Sequence, residues 1–398
     1  MDKWKEYKFA EIATIISGGT PKTSIPRYWN GNIPWLSVKD FGNDNKYVFS
    51  TEKTISKEGF NNSSTNMLYK NDIIISARGT VGELAMISCP MSFNQSCFGL
   101  RSKGLVDKDF LYYLMKTKVK ELKNNSHGSV FDTITRTTFD NIICRIPNAQ
   151  EQRKIATILS SLDDKIELNR RINDNLEQQA QALYKSWFVN FEPFRGGKFV
   201  DSELGMIPED WKVGTLLDIA NIKMGQSPSG SSFNENGDGI IFYQGRTEFG
   251  KRFPSIRLYT TEPTRYAVPN SVLLSVRAPV GDINITTKSC CIGRGIASLY
   301  SRDYYSSFLF YTLKTLKPMF DRFNGEGTVF GSINKKALEE MKILLPTECI
   351  LLKFETIVNP LDSHIQELSE EVLVLSNYRD NLLPRLMSGE LKINEMNS

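Results

Sequence analysis

The chain of 398 residues has only two histidines, His127 and His364, and neither stands in a pattern with a serine or cysteine nucleophile. Other catalytic signatures are missing as well. There is no GxxxxGK followed by Ser or Thr: RGGKF at 195–199 has the wrong spacing and no hydroxyl after the lysine. A lone GxG, Gly293 and Gly295 in IGRGIAS, does not follow the dinucleotide-binding pattern. No Asn-Pro-Pro-aromatic tetrad is present, so nothing would hold an adenine amino group for methylation. The carboxylates are scattered and assign no acid/base pair. The chain reads as non-catalytic.

Metal and membrane roles are excluded on the same grounds. The six cysteines (Cys89, Cys97, Cys144, Cys290, Cys291 and Cys349) are irregularly spaced and form no CxxC pair. With so few histidines to complete a ligand set, a zinc site is not expected, and reduced, mostly buried thiols are. No run of 18 or more apolar residues occurs, and the opening MDKWKEYKF has no apolar stretch after its charges. A cytoplasmic location with no membrane span and no signal peptide is therefore expected. Charge is nearly balanced overall at +4 but unevenly spread, with +6 in residues 1–147, zero in 148–191, +3 in 192–346 and −5 in 347–398. The two basic segments suggest a polyanionic partner.

What the sequence does have is itself, twice. LLSVRAPVGDI at 273–283 repeats IISARGTVGEL at 74–84, an offset of 199. The same offset relates GSVFDTI at 128–134 to GTVFGSI at 327–333, Pro147 to Pro346, and Lys154, Ile158, Leu162, Asp163 and Ile166 to Lys353, Ile357, Leu361, Asp362 and Ile365. Toward each start the offset becomes 207, with Trp4, Ile12 and Gly18 opposite Trp211, Ile219 and Gly225. A net eight residues have thus been gained or lost between about 41 and 72 in the first copy. Surface loops absorb such changes most easily, and loops often carry specificity.

Each copy has two textures. Short strand-like runs punctuated by Gly, Asn, Asp and Pro, with one amphipathic helix, predict a mixed α/β globule over 1–147 and again over 192–346. Helix follows over 148–191 and 347–398. Phe354, Val358, Leu361, Ile365, Leu368, Val372, Leu375, Arg379 and Leu382 step by alternating fours and threes, a heptad seam with one charged interruption. Ile155, Leu159, Leu162, Ile166, Asn169, Asn173, Leu176, Ala180 and Leu183 repeat it in register. Each helix is predicted at about 35 residues, roughly 50 Å. Matching seams should pair, and an approximate two-fold axis between the copies would make the helices antiparallel. Asn169 and Asn173 either fix the register or face water. The expected fold class is α+β: two repeated globules separated by two long helices in an antiparallel coiled coil.

These stretches resemble the specificity subunit of type I restriction–modification enzymes, along essentially the whole chain. The resemblance rests on SARGTVGEL and SVRAPVGDI, IPNAQEQRKIATILSSLDDKI, ALYKSWFVNFEPF, SELGMIPEDWKV and LLPRLMSGEL, in the family's order. One departure is that LPTECILLKFETI, opening the second helix, lacks the Glu151-Gln152 pair of AQEQRKI. The resemblance implies two target-recognition domains reading double-stranded DNA, with one half-site per domain. It also implies two modification subunits and the restriction motor-nuclease subunits as partners. No cofactor is expected on this chain, whereas S-adenosylmethionine, ATP and magnesium are expected on the partners. Two rival readings are a non-catalytic tandem-repeat scaffold that binds proteins, and the DNA-binding part of a methyltransferase, whose catalytic domain this chain lacks.

Base readout needs Arg, Lys, Asn or Gln on loops that reach the grooves. Arg78 and Arg277 follow apolar strands at a turn, and either reach DNA or brace that turn. Lys39 and Arg246 share the 207 offset after IPWLSV and IIFYQG. Asn94 and Gln95 stand opposite Gly293 and Arg294, and Arg136 opposite Lys335. Side chains that differ inside a shared frame are what two readers of different sequences should show.

Overall fold

The computed structural model describes residues 4–42, 44–126, 133–324 and 331–392. His127 and most of the GSVFDTI and GTVFGSI stretches lie outside the described residues. The chain divides into two compact units, residues 1–172 with 368–398, and residues 173–367. Each unit holds one globule and a piece of both long helices.

In the first unit, the apolar runs ATIIS, IIIS and LAMI form a sheet because their β-branched and apolar residues alternate between two buried faces. Its order is Ala13–Ser17, Cys97–Ser102, Ile73–Ser76, Leu84–Ile87 and Tyr47–Val48, antiparallel except for the last pair. On one face, Ile73, Ile75 and Leu100 pack against Phe110, Tyr113 and Leu114 of the helix Lys108–Ser126. On the other, Ile74, Ala85 and Ile87 meet Leu36, Leu68 and Phe93 from a second sheet, ordered Lys53–Ile55, Trp29–Leu36, Met91–Phe93 and Met67–Leu68. A ribbon of Lys5–Lys8 with Ile143–Ile146 closes the globule just before the long helix begins.

The second unit repeats this plan. Leu299 lies opposite Ile222 and Val272, as Leu100 lies opposite Ile15 and Ile73. Its main sheet runs Ala220–Met224, Ile296–Ser301, Val272–Ser275 and Ile283–Ile285. The second sheet is ordered Phe233–Asn234, Leu258–Thr260, Ile240–Tyr243, Cys290–Ile292 and Tyr266–Ala267. Where the copies differ in length, the first carries the short helix Lys57–Asn61, which packs below Tyr28 and has no described counterpart in the second.

The long helices run Ala149–Phe188 and Glu348–Ser388, 40 and 41 residues. They exceed the expected length because aromatic and apolar packing continues past the seam, through Tyr184 and Phe188 in one and Leu386 and Met387 in the other. In the first unit Asp163 meets Arg379 at 2.8 Å and Asn169 donates to Glu371 at 2.7 Å. In the second, the rings of Tyr184 and Phe188 lie 5.9 and 4.9 Å from that of Phe354. Of the seam residues, Ile155, Leu159, Ile166, Val358, Ile365 and Leu368 are buried, and Leu162, Leu176, Leu183, Leu361, Val372, Leu375 and Leu382 are half-buried. Asn169 is fully buried and Asn173 half-buried. The cysteines are free, four of them buried, and His364 is exposed beside Glu367. Among the described residues no helix is long and apolar enough to cross a membrane.

Candidate nucleic-acid interface

In the first unit, four segments converge where Cys97 faces Ser76 and Leu36 faces Phe93. Backbone hydrogen bonds join them in series. Asn94 N–H donates to the Leu36 carbonyl at 2.9 Å, Ala77 N–H to Ser96 at 2.8 Å, and Ile134 N–H to Ala77 at 3.0 Å. The second unit repeats the series link for link: Gly293 to Tyr243 at 2.8 Å, Val276 to Gly295 at 2.9 Å, and Ile333 to Val276 at 3.0 Å. Lys39, Asn94, Gln95, Arg78 and Arg136 are thereby gathered on one cluster of loops, and Arg246, Arg294, Arg277 and Lys335 on its counterpart.

The turn after the central strand is braced by serine. Ser76 Oγ donates to the Thr80 carbonyl and accepts the Glu83 N–H at 2.8 Å. Ser275 Oγ donates to the Pro279 carbonyl at 2.8 Å and accepts the Asp282 N–H at 2.9 Å. Gly82 and Gly281 take φ values of +87° and +94°, which let the chain turn back. Because the buried hydroxyls hold the turn, Arg78 and Arg277 are not needed as braces. Both are exposed at its tip.

The candidate side chains then divide. Among the described residues, those of Lys39, Arg78, Arg277 and Arg294 are exposed and make no hydrogen bond or ion pair within the protein. The others have partners. Arg136 Nη2 donates to the Ile15 carbonyl at 2.6 Å, Arg246 pairs with Asp282, and Lys335 pairs with Glu339 at 3.2 Å. Gln95 accepts from Thr20, and Asn94 Oδ1 accepts the Ser96 N–H at 3.1 Å, holding its own turn. The free cations suit phosphate or base-edge contacts, and the tied residues shape the loops around them.

A second set of charged residues sits where each globule rests on the helices, and motif reading did not single most of it out. Lys46 and Arg252 hold equivalent places. The Lys46 carbonyl accepts the Met86 N–H at 2.7 Å, and the Arg252 carbonyl accepts the Ile285 N–H at 2.8 Å; Met86 and Ile285 are repeat partners. Lys46 Nζ, buried, donates to Asp109 and to Ser160 of the first long helix, each at 2.7 Å. Beside it, Asn45 accepts from Arg170, and Asp44 accepts from Arg379 at 2.9 Å and from Lys116 at 2.9 Å. Burial pushes the Asp44 carboxyl up, but Lys116 and Arg379 outweigh it and hold it below the ordinary range. Arg379, 2% exposed, also donates to Asp163 at 2.8 Å, and Tyr113 donates to that same Asp163 at 2.6 Å.

In the second unit, Arg252 donates to Glu177 of the first long helix and to Asp362 of the second, the latter at 2.6 Å. Tyr311 donates to Asp362 at 2.9 Å, as Tyr113, the neighbour of its repeat partner Tyr112, does to Asp163. Lys251 pairs with Asp174, and Lys314 with Glu177. Burial raises the Glu177 carboxyl, and Arg252 and Lys314 more than reverse it.

The departure at the second helix start also finds its explanation. Gln152, buried, accepts the Asp107 N–H at 2.9 Å ahead of the helix Lys108–Ser126. The residue at the matching offset is Leu351, and the corresponding contact is made one turn later, where Glu355 accepts the Phe308 N–H at 2.8 Å near the start of the helix Ser306–Thr315.

A family profile described as "Type I restriction modification DNA specificity domain" matches residues 1–178 and 208–372. The MjaIX specificity subunit of a type I restriction enzyme from Methanocaldococcus jannaschii is 30% identical, over 99% of this chain and 94% of that protein. The HindI specificity subunit from Haemophilus influenzae is 25% identical, over 98% of this chain and all of its own length. Among solved structures, the type I restriction–modification S subunit from M. genitalium aligns with a TM-score of 0.59 at 19% identity, covering 97% of this chain and 96% of that one.

Proposed function

The chain belongs to the type I restriction–modification DNA specificity family, and from that premise we propose that it reads a bipartite, asymmetric DNA target, with one half-site per globule. The observation that carries this reading is the duplicated loop cluster. Two frames joined by the same backbone hydrogen bonds present different side chains, Asn94 and Gln95 in one and Gly293 and Arg294 in the other. A common frame sets a common approach to the groove, and the changed side chains set which base edges are accepted. Arg78, Arg277, Lys39 and Arg294, exposed and uncommitted, make the contacts to phosphates and bases. Arg136, Arg246 and Lys335, already paired, help shape the loops.

The long helices act as the spacer, pairing as an antiparallel coiled coil. At 1.5 Å per residue they are each about 60 Å long, which suits a target on the order of 15 to 18 base pairs with an unread middle stretch. Two modification subunits and the restriction subunits dock through the helices. S-adenosylmethionine, ATP and magnesium are bound on those partners, which supply the chemistry, while this chain positions DNA without catalytic groups of its own.

The test is to express the chain with the modification subunits of its own system in a host lacking adenine methylation and to map methylated adenines genome-wide. One motif, with two unlike half-sites and a fixed gap, is expected. A palindromic motif, a continuous one, or methylation without sequence preference would overturn the proposal. So would a purified complex that forms without selective DNA binding, which would favour a protein scaffold.

A further inference from the structure

The clamp loops at Asp44–Lys46 and Lys251–Arg252 occupy equivalent places in the two globules, and Lys46 and Arg252 each bring a cation to a long helix, but the charges beside these two cations are of opposite sign. In the first unit the loop offers Asp44 and Asn45, and the helices bring the cations Arg170 and Arg379. In the second the loop brings the cations Lys251 and Arg252, and the helices offer Asp174, Glu177 and Asp362. The exchange extends into the seam. Arg379 has Ala180 at its repeat position, fully buried in the second unit, so no helix cation competes with Arg252 for Asp362 there. Asp163 and Asp362 are repeat partners, each bonded by a tyrosine of its globule's helix, Tyr113 and Tyr311. Each is neutralised by an arginine from a different source, the far helix for Asp163 and the globule's own loop for Asp362.

We propose that these clamps are two keys of different charge pattern that seat each recognition globule on its own stretch of helix, with Arg379 and Arg252 as the positioning residues for the two half-sites. This rests on the DNA-reading proposal above. Seating either globule on the other's helix stretch would bring Asp44 against the carboxylates, or Arg252 against Arg170 and Arg379. Arg252 and Arg379 are buried, and a buried charge left without its counter-ion or set against like charge carries a large penalty, so the wrong arrangement is excluded, while the exposed Asp44 adds little. The pairs therefore serve chiefly to make one arrangement unique. A globule that loses its key is still folded around its own core but is held less firmly at the angle from which its loops meet the groove.

The experiment uses the full chain in complex with its modification subunits, carrying Arg252→Met or Arg379→Met, with methylated adenines mapped genome-wide as for the wild type. Each variant is expected to tolerate about tenfold more substitution in one half-site, on the scale of a single mismatched base pair, with the other half-site unchanged and the two variants affecting different half-sites. General destabilisation would lower methylation at all sites together and leave the motif intact, which would overturn the proposal. Equal loosening of both half-sites by either variant would also overturn it. Should a methionine variant fail to fold, Arg252→Lys and Arg379→Lys keep the charge while losing the two-pronged reach, and the same half-site-limited loosening is expected. If the wild-type complex itself shows no bipartite motif, the DNA-reading proposal fails first, and that outcome is visible before any variant is made.

Discussion

Replacing Glu355 with glutamine should make the second unit more stable at alkaline pH and change little at acid pH. Glu355 is 8% exposed beside Phe354, and its carboxyl accepts the Phe308 N–H. Burial pushes that carboxyl from an ordinary 4.5 up to about 7, only partly opposed by hydrogen bonds from Phe308 and Ser307. Between those values the native state keeps a proton that the unfolded chain has lost. The stability associated with the protonated group is therefore complete below about pH 4.5 and is lost as pH rises through about 7. At about 1.4 kcal/mol per pH unit, the gap limits the effect to about 3 kcal/mol. Glutamine keeps an acceptor for Phe308 N–H and carries no charge, so its stability should not vary across this window. For a unit of this size that corresponds to a gain of at most roughly 6 to 12 °C in melting temperature at pH 8. Calorimetric melting of wild type and Glu355→Gln at pH 4.5 and pH 8 measures it. If the gap between the two proteins is the same at both pH values, or glutamine is the less stable at pH 8, the burial argument is wrong.

Charge reversal at Arg78 or Arg277 should weaken cognate binding by about 1–3 kcal/mol while the chain stays folded, and footprints of each complex should show protection lost over one half-site only. Equal loss over both would count against the assignment. Ser76→Ala or Ser275→Ala removes the hydroxyl that brackets the turn and leaves the Glu83 or Asp282 N–H without its acceptor. A loss of about 1–3 kcal/mol is expected from urea unfolding, together with weaker DNA binding, because the turn carries the neighbouring arginine. Unchanged stability would show that the serine is not the brace.

Much of the frame was legible from self-similarity alone. The 199 offset between Ser76 and Ser275 points to a common strand end, and the register of Leu100 and Leu299 against their neighbours is the same in both sheets. The heptad steps marked residues that are all buried or half-buried, and they marked Arg379 as an interruption. What Arg379 meets was not legible. Asp163 and Asp44 lie 216 and 335 positions away, and no local pattern encodes a pairing so distant. Lys46 and Arg252 were missed because the length change begins close to them, so the 207 offset sets Asn45 rather than Lys46 against Arg252. Arg136 is exposed on a helix and looks available for phosphate, yet its guanidinium reaches back to the Ile15 carbonyl, a bond set by tertiary approach. At the second helix start, the missing Gln152 counterpart was visible, but its replacement by Glu355 depends on how one helix end approaches another.

The loops of each cluster are fastened to one another through amide N–H and carbonyl groups, which every residue except proline possesses in full. The uncommitted residues displayed between those fastenings, Lys39, Arg78, Arg277 and Arg294, can therefore be rewritten without loosening the mount. A lineage under pressure to recognise new sites would find here a reader whose alphabet is separable from its grip, free to change letters one at a time while the page stays flat.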